Sequence, residues 1–450
     1  MPLNLRALLI CALTAMGGMA PRTVLALPSF ATQTGFACAA CHTTAFGPQL
    51  TPVGQEFKLN GYLLDTGNAD AIPLAAMLLT TFSRTKADQP GGAAPSYKTN
   101  DNNAVDQTSV FYAGKIAGNT GAFIQATYDG IAHQYHWDNL DVRYADQGMI
   151  GSAKTVYGVS LNNNPTVQDL WNSTPAWAYP FASSVLAPAP AAAPVIQGAL
   201  AQKVYGLSGY MMLDDLVYLE LGGYRMLPNA LQTRLGVAAP GANTLQGISP
   251  YWRAAVQKQS GSHYASLGLF GLSARMLPGG DGSAGENRYT DLGYDATWQF
   301  SNNTAHSFNA NLTYIHEIQQ LRASVAQGNA SAASNQINTL RLNAGYVYRQ
   351  TWSLSGGPFW INGGADNVAF APNPISGSAN GNPDSRGYVA QLEFVPFGKT
   401  GSLWRPFLNV RLGLQYVGYT EFNGGSRNYD GSGRSAHDNS TFFAFLWLAI

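Results

Sequence analysis

The sequence predicts a mostly β protein: an antiparallel outer-membrane β-barrel of about sixteen strands, preceded by a small helical N-terminal segment. Charged residues make up only 11% of the chain, against about 25% in soluble domains. From residue 74 onward, apolar and polar residues alternate over segments of about ten residues, as they do in transmembrane strands. The links between these segments alternate between short and long. No apolar run in the mature chain is long enough for a transmembrane helix.

The alternation is clearest between residues 407 and 419. Leu408 and Val410 fall on one face of the predicted strand, whereas Asn409 and Arg411 fall on the other. A soluble β-sheet alternates in the same way. Alternation alone therefore does not separate a membrane barrel from a secreted β-rich domain.

The lengths of the links separate the two folds better. The predicted strands span residues 74–86, 106–118, 121–129, 136–145, 154–163, 203–213, 216–227, 250–260, 263–277, 288–301, 305–321, 338–351, 354–365, 386–398, 405–422 and 438–450. Tight links are predicted at 119–120, 214–215, 261–262 and 302–304, and long links at 87–105, 164–202, 228–249, 322–337, 366–385 and 423–437. Short turns on one rim and long loops on the other are typical of bacterial barrels. An even number of strands returns both termini to the short-turn, periplasmic rim.

Residues 1–26 are predicted to be a cleaved signal peptide. A short basic start precedes an apolar run, and Val24-Leu25-Ala26 offers small residues for cleavage. The alternative is a lipoprotein in which Cys11 carries the lipid, but Ile10 is bulky where such sites favour a small residue. Export through this peptide predicts a Gram-negative outer-membrane location for the mature chain.

Residues 38–42 read Cys-Ala-Ala-Cys-His, the attachment sequence of a c-type haem. Cys38 and Cys41 are predicted to bind one haem covalently, with His42 as the proximal ligand of the iron. A redox C-x-x-C is the first alternative, but it favours a βαβ context that this region lacks. A zinc site would need further ligands nearby, and no Cys or His occurs between His42 and His133. We therefore expect a monohaem cytochrome segment over residues 27–72 and a barrel over residues 73–450.

The sixth ligand of the haem iron is predicted at Met77, the first Met or His after His42. A thioether ligand there would favour a higher potential. The alternatives are that Met77 only fills space in the first strand, or that Lys58 or a barrel residue binds the iron.

A helix is predicted after Thr51, which can cap it, with Pro52 in the first turn and Gly61 at the stop. Val53 and Phe57 are four residues apart and share one face. This face is expected to lie against the haem. The alternative is a packing helix that makes no contact with the haem.

The link 164–202 is the longest and is unusually aromatic. It carries Trp171 and Trp177, and then an Ala/Pro tract over 187–194 that predicts a semi-rigid connector. The aromatic part either folds into the barrel mouth as a constriction or forms a plain surface loop.

Charged residues fall on the polar faces of the predicted strands. They are Asp129, Asp141, Arg143, Glu220, Asp291, Asp295, Arg341, Arg349, Glu393 and Arg411. One interpretation is a solvated or self-paired lumen. The other is that the arginines hold haem propionates while the carboxylates attract hard cations such as Fe(II). No motif of a hydrolase or transferase is present, and a net charge of zero gives no support to nucleic-acid binding.

With these features in place, the chain resembles the fused outer-membrane monohaem cytochrome c–porin family over essentially the whole mature sequence. The matching residues are Cys38, Cys41 and His42, the run from Leu50-Thr51-Pro52 to Gly61-Tyr62, and the loop 164–177. The C-terminus departs from the usual pattern, because barrel strands usually end on Phe or Trp and this chain ends on Ile450.

The resemblance implies a function, since the best-known members of that family oxidise extracellular ferrous iron. It predicts an oxidoreductase that passes electrons from an extracellular donor, Fe(II), through the haem to a periplasmic cytochrome or copper protein. The alternatives are a porin whose small cytochrome plugs or gates the lumen, and an electron conduit with another donor or the opposite direction of flow.

Overall fold

The computed structural model describes residues 28–64, 73–301, 305–402, 404 and 408–450. The expected signal peptide, including Cys11, lies outside the described residues. So does the tight link predicted at 302–304.

The described chain is mostly β-strand. The strands are β1 (Leu74–Thr85), β2 (Asn102–Ala117), β3 (Thr120–Asp129), β4 (Gln134–Ile150), β5 (Ala153–Asn162), β6 (Val204–Leu213), β7 (Val217–Met226), β8 (Thr244–Leu245), β9 (Ser249–Ser260), β10 (His263–Leu277), β11 (Asn287–Ser301), β12 (His306–Gln320), β13 (Ser334–Tyr348), β14 (Trp352–Gly363), β15 (Ser385–Phe394), β16 (Asn409–Glu421) and β17 (Thr441–Ala449). The α-helices are α1 (Pro28–Thr34), α2 (Cys38–Cys41), α3 (Pro52–Leu59), α4 (Asn229–Arg234) and α5 (Arg322–Ala326). Three 3₁₀ turns lie at Pro175–Trp177, Pro278–Gly280 and Ala436–Asn439.

Sixteen long strands form a closed antiparallel barrel within the described residues, which confirms the predicted fold class. Each long strand pairs with its neighbours in sequence, β7 pairs directly with β9, and β1 pairs with β17 to close the sheet. The two-residue strand β8 only extends the sheet beside β10. Closure leaves no long strand with an unpaired edge, which is how barrels avoid edge-to-edge association.

Several predicted strands have the wrong ends. β2 begins at Asn102, β4 ends at Ile150 and β13 begins at Ser334, whereas the sequence predicts residues 106, 145 and 338.

Two further ends have a local cause. The strand predicted over 386–398 ends at Phe394, since Pro396 has no amide hydrogen for a sheet hydrogen bond. The strand predicted from residue 438 begins at Thr441. Before it, Ser435 and Asp438 cap each other's backbone amides and fix a 3₁₀ turn.

The outer surface of the barrel is an apolar band. In β10, Leu267 and Leu269 are 54% and 52% exposed, whereas the adjacent residue Phe270 is fully buried on the inner side. Exposed aromatic residues accompany them around the wall, including Trp252, Trp298, Phe308 and Tyr388. An apolar, aromatic-rich exterior around a polar interior is the design of outer-membrane barrels. The chain is therefore an outer-membrane β-barrel. None of the described helices is long and apolar enough to cross a membrane.

Helices α1 to α3 lie across the short-turn end of the barrel. The Gln33 side chain accepts a hydrogen bond from the Lys115 amide of β2 at 3.2 Å. On another side of the barrel, the Ala39 amide donates to the carbonyl of Gly398 at 3.0 Å. The N-terminal segment therefore spans this opening, with the Cys-Ala-Ala-Cys-His motif at the rim where both ends of the barrel sheet meet.

Leu269→Arg should destabilise the barrel by about 2–4 kcal/mol, because it places a charge at the middle of the lipid-facing band. Leu216→Arg is the matched control, since Leu216 is 44% exposed but lies in the tight turn between β6 and β7. The Leu216→Arg variant should lose only about 0–1 kcal/mol of folding stability. Equilibrium folding into lipid vesicles, followed by tryptophan fluorescence, measures both. Equal effects of the two variants would contradict the proposed orientation of the wall.

Candidate functional site

Cys38 and Cys41 lie on one helical turn. The His42 amide donates to the Cys38 carbonyl at 2.9 Å, and His42 then leaves the helix in an extended conformation. Side chains three residues apart on a helix are neighbours, so the two sulfur atoms project from the same face. Both cysteines are thiols.

Helix α3 packs closely on this turn. The Thr51 hydroxyl accepts from the Gly54 amide at 3.3 Å and donates to the Ala40 carbonyl at 2.5 Å. This confirms the predicted cap and joins α3 to α2. Gly54 is required for the approach, because a Cβ there would clash with the carbonyl oxygen of Cys41.

A cavity of about 370 Å³ opens beside the motif. Small-molecule and cofactor sites typically have roughly 300–1,000 Å³. Cys38, Cys41 and His42 line the cavity. Aromatic side chains from the N-terminal helices, the barrel and the loop after β5 contribute to the remaining wall, among them Phe30, Phe57, Phe111, Phe123, Trp177 and Trp447.

The His42 imidazole is oriented towards the cavity. Its Nδ1 is buried and makes no hydrogen bond to any described residue. Burial of the ring lowers the pKa of His42 to about 4. The imidazole is therefore neutral at neutral pH, the form that binds metals.

Met77 lines the same cavity. Its side chain points inward from β1, is 5% exposed and packs in a cluster with Phe111. All four residues predicted for the haem site, Cys38, Cys41, His42 and Met77, thus meet at one cavity.

The predicted packing face of α3 is correct for only one of its two residues. Phe57 lines the cavity. Val53 is 39% exposed and does not line it, so the expectation for Val53 is wrong. The reason is that α3 turns its Gly54 side towards α2, which rotates Val53 outward.

Lys58, the rival sixth ligand, is occupied by other partners. Its Nζ donates to the carbonyls of Val167 and Asp169 at 2.8 and 2.6 Å, and to Asn172 Oδ1 at 2.9 Å. Burial, together with the nearby Arg143 guanidinium, lowers the pKa of Lys58 to about 7. Because its amine has three acceptors in the loop after β5, Lys58 joins that loop to helix α3.

That loop, residues 163–203, fills the lumen and is called the lumen loop below. Val167, Leu170 and Trp171 are buried inside the barrel, which confirms the constriction and excludes the plain surface loop. The Ala/Pro tract is not a free connector, because Ala192 packs against Ile337 of β13. The lumen loop therefore separates the motif from the long-loop opening.

A buried ion triad anchors the lumen loop to the wall. Arg253 of β9 lies 3.3 Å from the Asp169 carboxylate of the loop and 2.8 Å from that of Asp295 on β11. Ser173 of the loop also donates to Asp295 at 2.6 Å. All three charged side chains are almost fully buried.

A second anchor uses backbone amides. The amides of Val195 and Ile196 donate to Glu317 at 2.6 Å and to Asp291 at 2.9 Å. Asp291 and Glu317 are directly opposite each other on β11 and β12. These carboxylates bind the loop and are not open to a cation in the lumen.

The lumen charges are only partly self-paired. Among the described residues, Glu220, Asp291 and Arg341 have no ion pair and use neutral hydrogen-bond partners instead. Arg143 pairs with Asp141 at 2.7 Å, and Arg411 pairs with Glu393. Arg349 is exposed in the turn between β13 and β14, so its placement on a lumen face is wrong. The sequence interpretation missed Arg253, although alternation in β9 places it on the inner face with Tyr251 and Ala255.

No protein-family model and no curated protein matches this chain. Solved structures of outer-membrane proteins are similar to it. OprB of Pseudomonas putida has 12% identity and a TM-score of 0.48, over 84% of this chain and 92% of that one. The outer-membrane channel DcaP of Acinetobacter baumannii has 10% identity and a TM-score of 0.44, over 84% and 96%. The anion-selective porin of Comamonas acidovorans has 13% identity and a TM-score of 0.43, over 84% and 98%.

Arg253→Met should release the lumen loop, because it leaves the Asp169 and Asp295 carboxylates buried without a cation. Breaking a buried ion pair in this way costs about 3–5 kcal/mol. We expect faster proteolysis of the loop and a measurable ion conductance in planar bilayers. Arg275→Met is the control, since the Arg275 ion pair with Glu286 is solvent-exposed. If Arg253→Met leaves both readouts at the wild-type level, the triad is not what holds the loop.

Proposed function

We propose that this protein is an outer-membrane electron-transfer protein that carries one c-type haem in the cavity of its barrel. Cys38 and Cys41 bind the haem covalently, His42 is the proximal ligand, and Met77 is the sixth ligand. Residues 1–26 are the signal peptide, 27–72 the cytochrome segment and 73–450 the barrel. The observation that carries the proposal is the meeting of two thiols, a neutral imidazole and a thioether at one cavity.

The residues of the cavity fit this cofactor. The thiols come from one helical turn, as two thioether bonds to one porphyrin edge require. The His42 ring is neutral and borders the cavity beside both cysteines, so it can supply a nitrogen ligand. Aromatic side chains on several sides exclude water from a flat apolar ring. Haem iron held by His and Met exchanges one electron at a comparatively high potential.

The barrel gives such a cofactor a route between compartments. The hydrocarbon core is about 30 Å thick, and the lumen loop blocks solutes while the motif lies at the short-turn rim. A periplasmic cytochrome or copper protein can approach that rim to collect electrons. We infer extracellular Fe(II) as the donor, which keeps the insoluble ferric product outside the cell. The support for iron is the family resemblance.

The second candidate function is a porin-like channel that the N-terminal segment and the lumen loop plug or gate. The porin-like barrel itself favours it. An electron conduit needs no open lumen, whereas a gated channel must conduct under some condition. Conductance of the wild-type protein in planar bilayers, measured over a range of voltage and pH, separates the two.

The experiment that tests the proposal is anaerobic mixing of the oxidised protein with Fe(II), followed by visible spectroscopy. We expect covalent haem that persists through denaturation and a reduced haem spectrum within seconds. The variant Cys38→Ala with Cys41→Ala should lose the haem signal. If the wild type carries no haem, electron transfer is wrong and the plugged channel stands. If dithionite reduces the haem and Fe(II) does not, iron is not the donor.

Met77→Leu should keep the covalent haem but lose the methionine-to-iron charge-transfer band and lower the potential, since the thioether ligand is removed. Met212→Leu is the matched control, because Met212 is equally buried on the inner face of β6 and does not line the cavity. Near-infrared absorption and redox titration measure both. An unchanged spectrum in Met77→Leu would leave Met77 as a packing residue.

A further inference from the structure

Two β-bulges lie side by side in the barrel wall. Between β1 and β2 the register moves from Leu79 opposite Gln107 to Thr80 opposite Val105, so Asp106 is an extra residue. Between β3 and β4 it moves from Ile124 opposite Leu140 to Ala126 opposite Trp137, so one residue of β3 faces two of β4. Bulges redirect side chains and are frequent beside functional sites.

The bulges add polar side chains to the haem cavity. Gln107 directly follows the extra residue of β2. At the second bulge, Gln125 of β3 is the single residue that faces Asp138 and Asn139 of β4. All four line the cavity. We call these four residues the bulge wall. The tight turn at 118–119 lies on the periplasmic rim, and along β3 it is followed first by Phe123 and then by Gln125. Since both side chains line the cavity, the bulge wall is on the side of the cavity that faces away from the periplasm.

Hydrogen-bond donors remain available at the bulge wall. The side-chain amide of Gln107 makes no hydrogen bond to any described residue. Asn139 accepts from Asn164 at 2.9 Å, which leaves its own NH₂ group as a donor. The other cavity amides are occupied, because Asn172 donates to Pro48 O at 2.7 Å and Asn409 donates to Ala45 O at 2.8 Å.

The lumen arginines expected to hold haem propionates have other partners. Arg143 and Arg411 each pair with a protein carboxylate. Arg341 donates to the Tyr179 carbonyl at 3.4 Å and does not line the cavity. A porphyrin of the haem type carries its two vinyl groups at one edge and its two propionates at the opposite edge. With the vinyl edge bound to Cys38 and Cys41, the propionate edge points away from the motif.

We propose that the bulge wall binds the haem propionates, with the Gln107 and Asn139 amides as donors. This inference rests on the proposed haem. Asp138 belongs to the same wall, where it accepts from Thr127 at 3.0 Å and from Gln202 at 3.2 Å and has no ion-pair partner among the described residues. When ionised, its carboxylate acts on the propionates and, through them, on the iron. Gln107 and Asn139 are therefore haem-binding residues and Asp138 is a residue that sets the potential.

The test uses purified full-length holoprotein and two readouts, the propionate bending modes in resonance Raman spectra and the midpoint potential. Gln107→Glu and Asn139→Asp should shift the propionate modes and favour the ferric state, because each adds a negative charge beside the propionates. At a fixed solution potential, the ferric-to-ferrous ratio should rise roughly tenfold. This corresponds to a midpoint potential lower by 59 mV for a one-electron couple. Asp138→Asn should change the ratio in the opposite direction.

Two further variants make the outcome decisive. Gln107→Met removes the donor without adding charge, and should shift the propionate modes even if an acidic variant fails to fold. Asn343→Asp is the matched control, because Asn343 faces the lumen from β13 and lines a separate small cavity.

The possible results separate the two proposals. Wild-type protein without haem overturns the proposed function and this inference together. Covalent haem whose propionate modes are unchanged in Gln107→Met and Asn139→Asp overturns only the inference. Potential changes in Asn343→Asp as large as those in Gln107→Glu would also overturn it.

Discussion

The need to pair charges taken out of water constrains the interior of this barrel. An unpaired charge buried in protein costs several kcal/mol, and the closed wall carries Arg143, Arg253 and Arg411 on its inner face. Arg143 pairs with Asp141 of its own strand and also donates to the carbonyls of Lys58 and Gln168. Arg253 pairs with Asp169 of the lumen loop. From helix α3, the Lys58 ammonium donates to the Val167 carbonyl of the same loop. The loop and the N-terminal segment are therefore held by the same electrostatic requirement that the wall imposes.

This arrangement determines where open space remains. The space left beside α2 is lined by aromatic and other apolar side chains together with a few polar ones. A site with an apolar body and few polar groups is suited to a large flat cofactor. The contacts that stabilise the lumen loop also fill the lumen, so a redox function and an open channel make opposite demands on this loop.

The strands could be predicted from the sequence, since the alternation with period two depends only on which face meets lipid. The motif could be predicted because its chemistry is local, from Cys38 to His42. The position of the lumen loop could not, because it depends on the pairing of Arg253 with Asp169, residues far apart in sequence. The bulges could not be predicted from the sequence either. One extra residue at Asp106 changes the face that Gln107 occupies, and the composition of the strand does not reveal this.

Closure of the barrel has a consequence for the order of assembly. Met77 of β1 lies opposite Ala449 of β17, and Trp447 of the same strand lines the cavity. The wall of the cavity is thus built from the first and last strands of the chain. The N-terminal motif leaves the ribosome first, whereas the cavity exists only after the final strand has paired with β1. For the proposed haem, attachment to the motif and enclosure by the barrel would therefore be separate events.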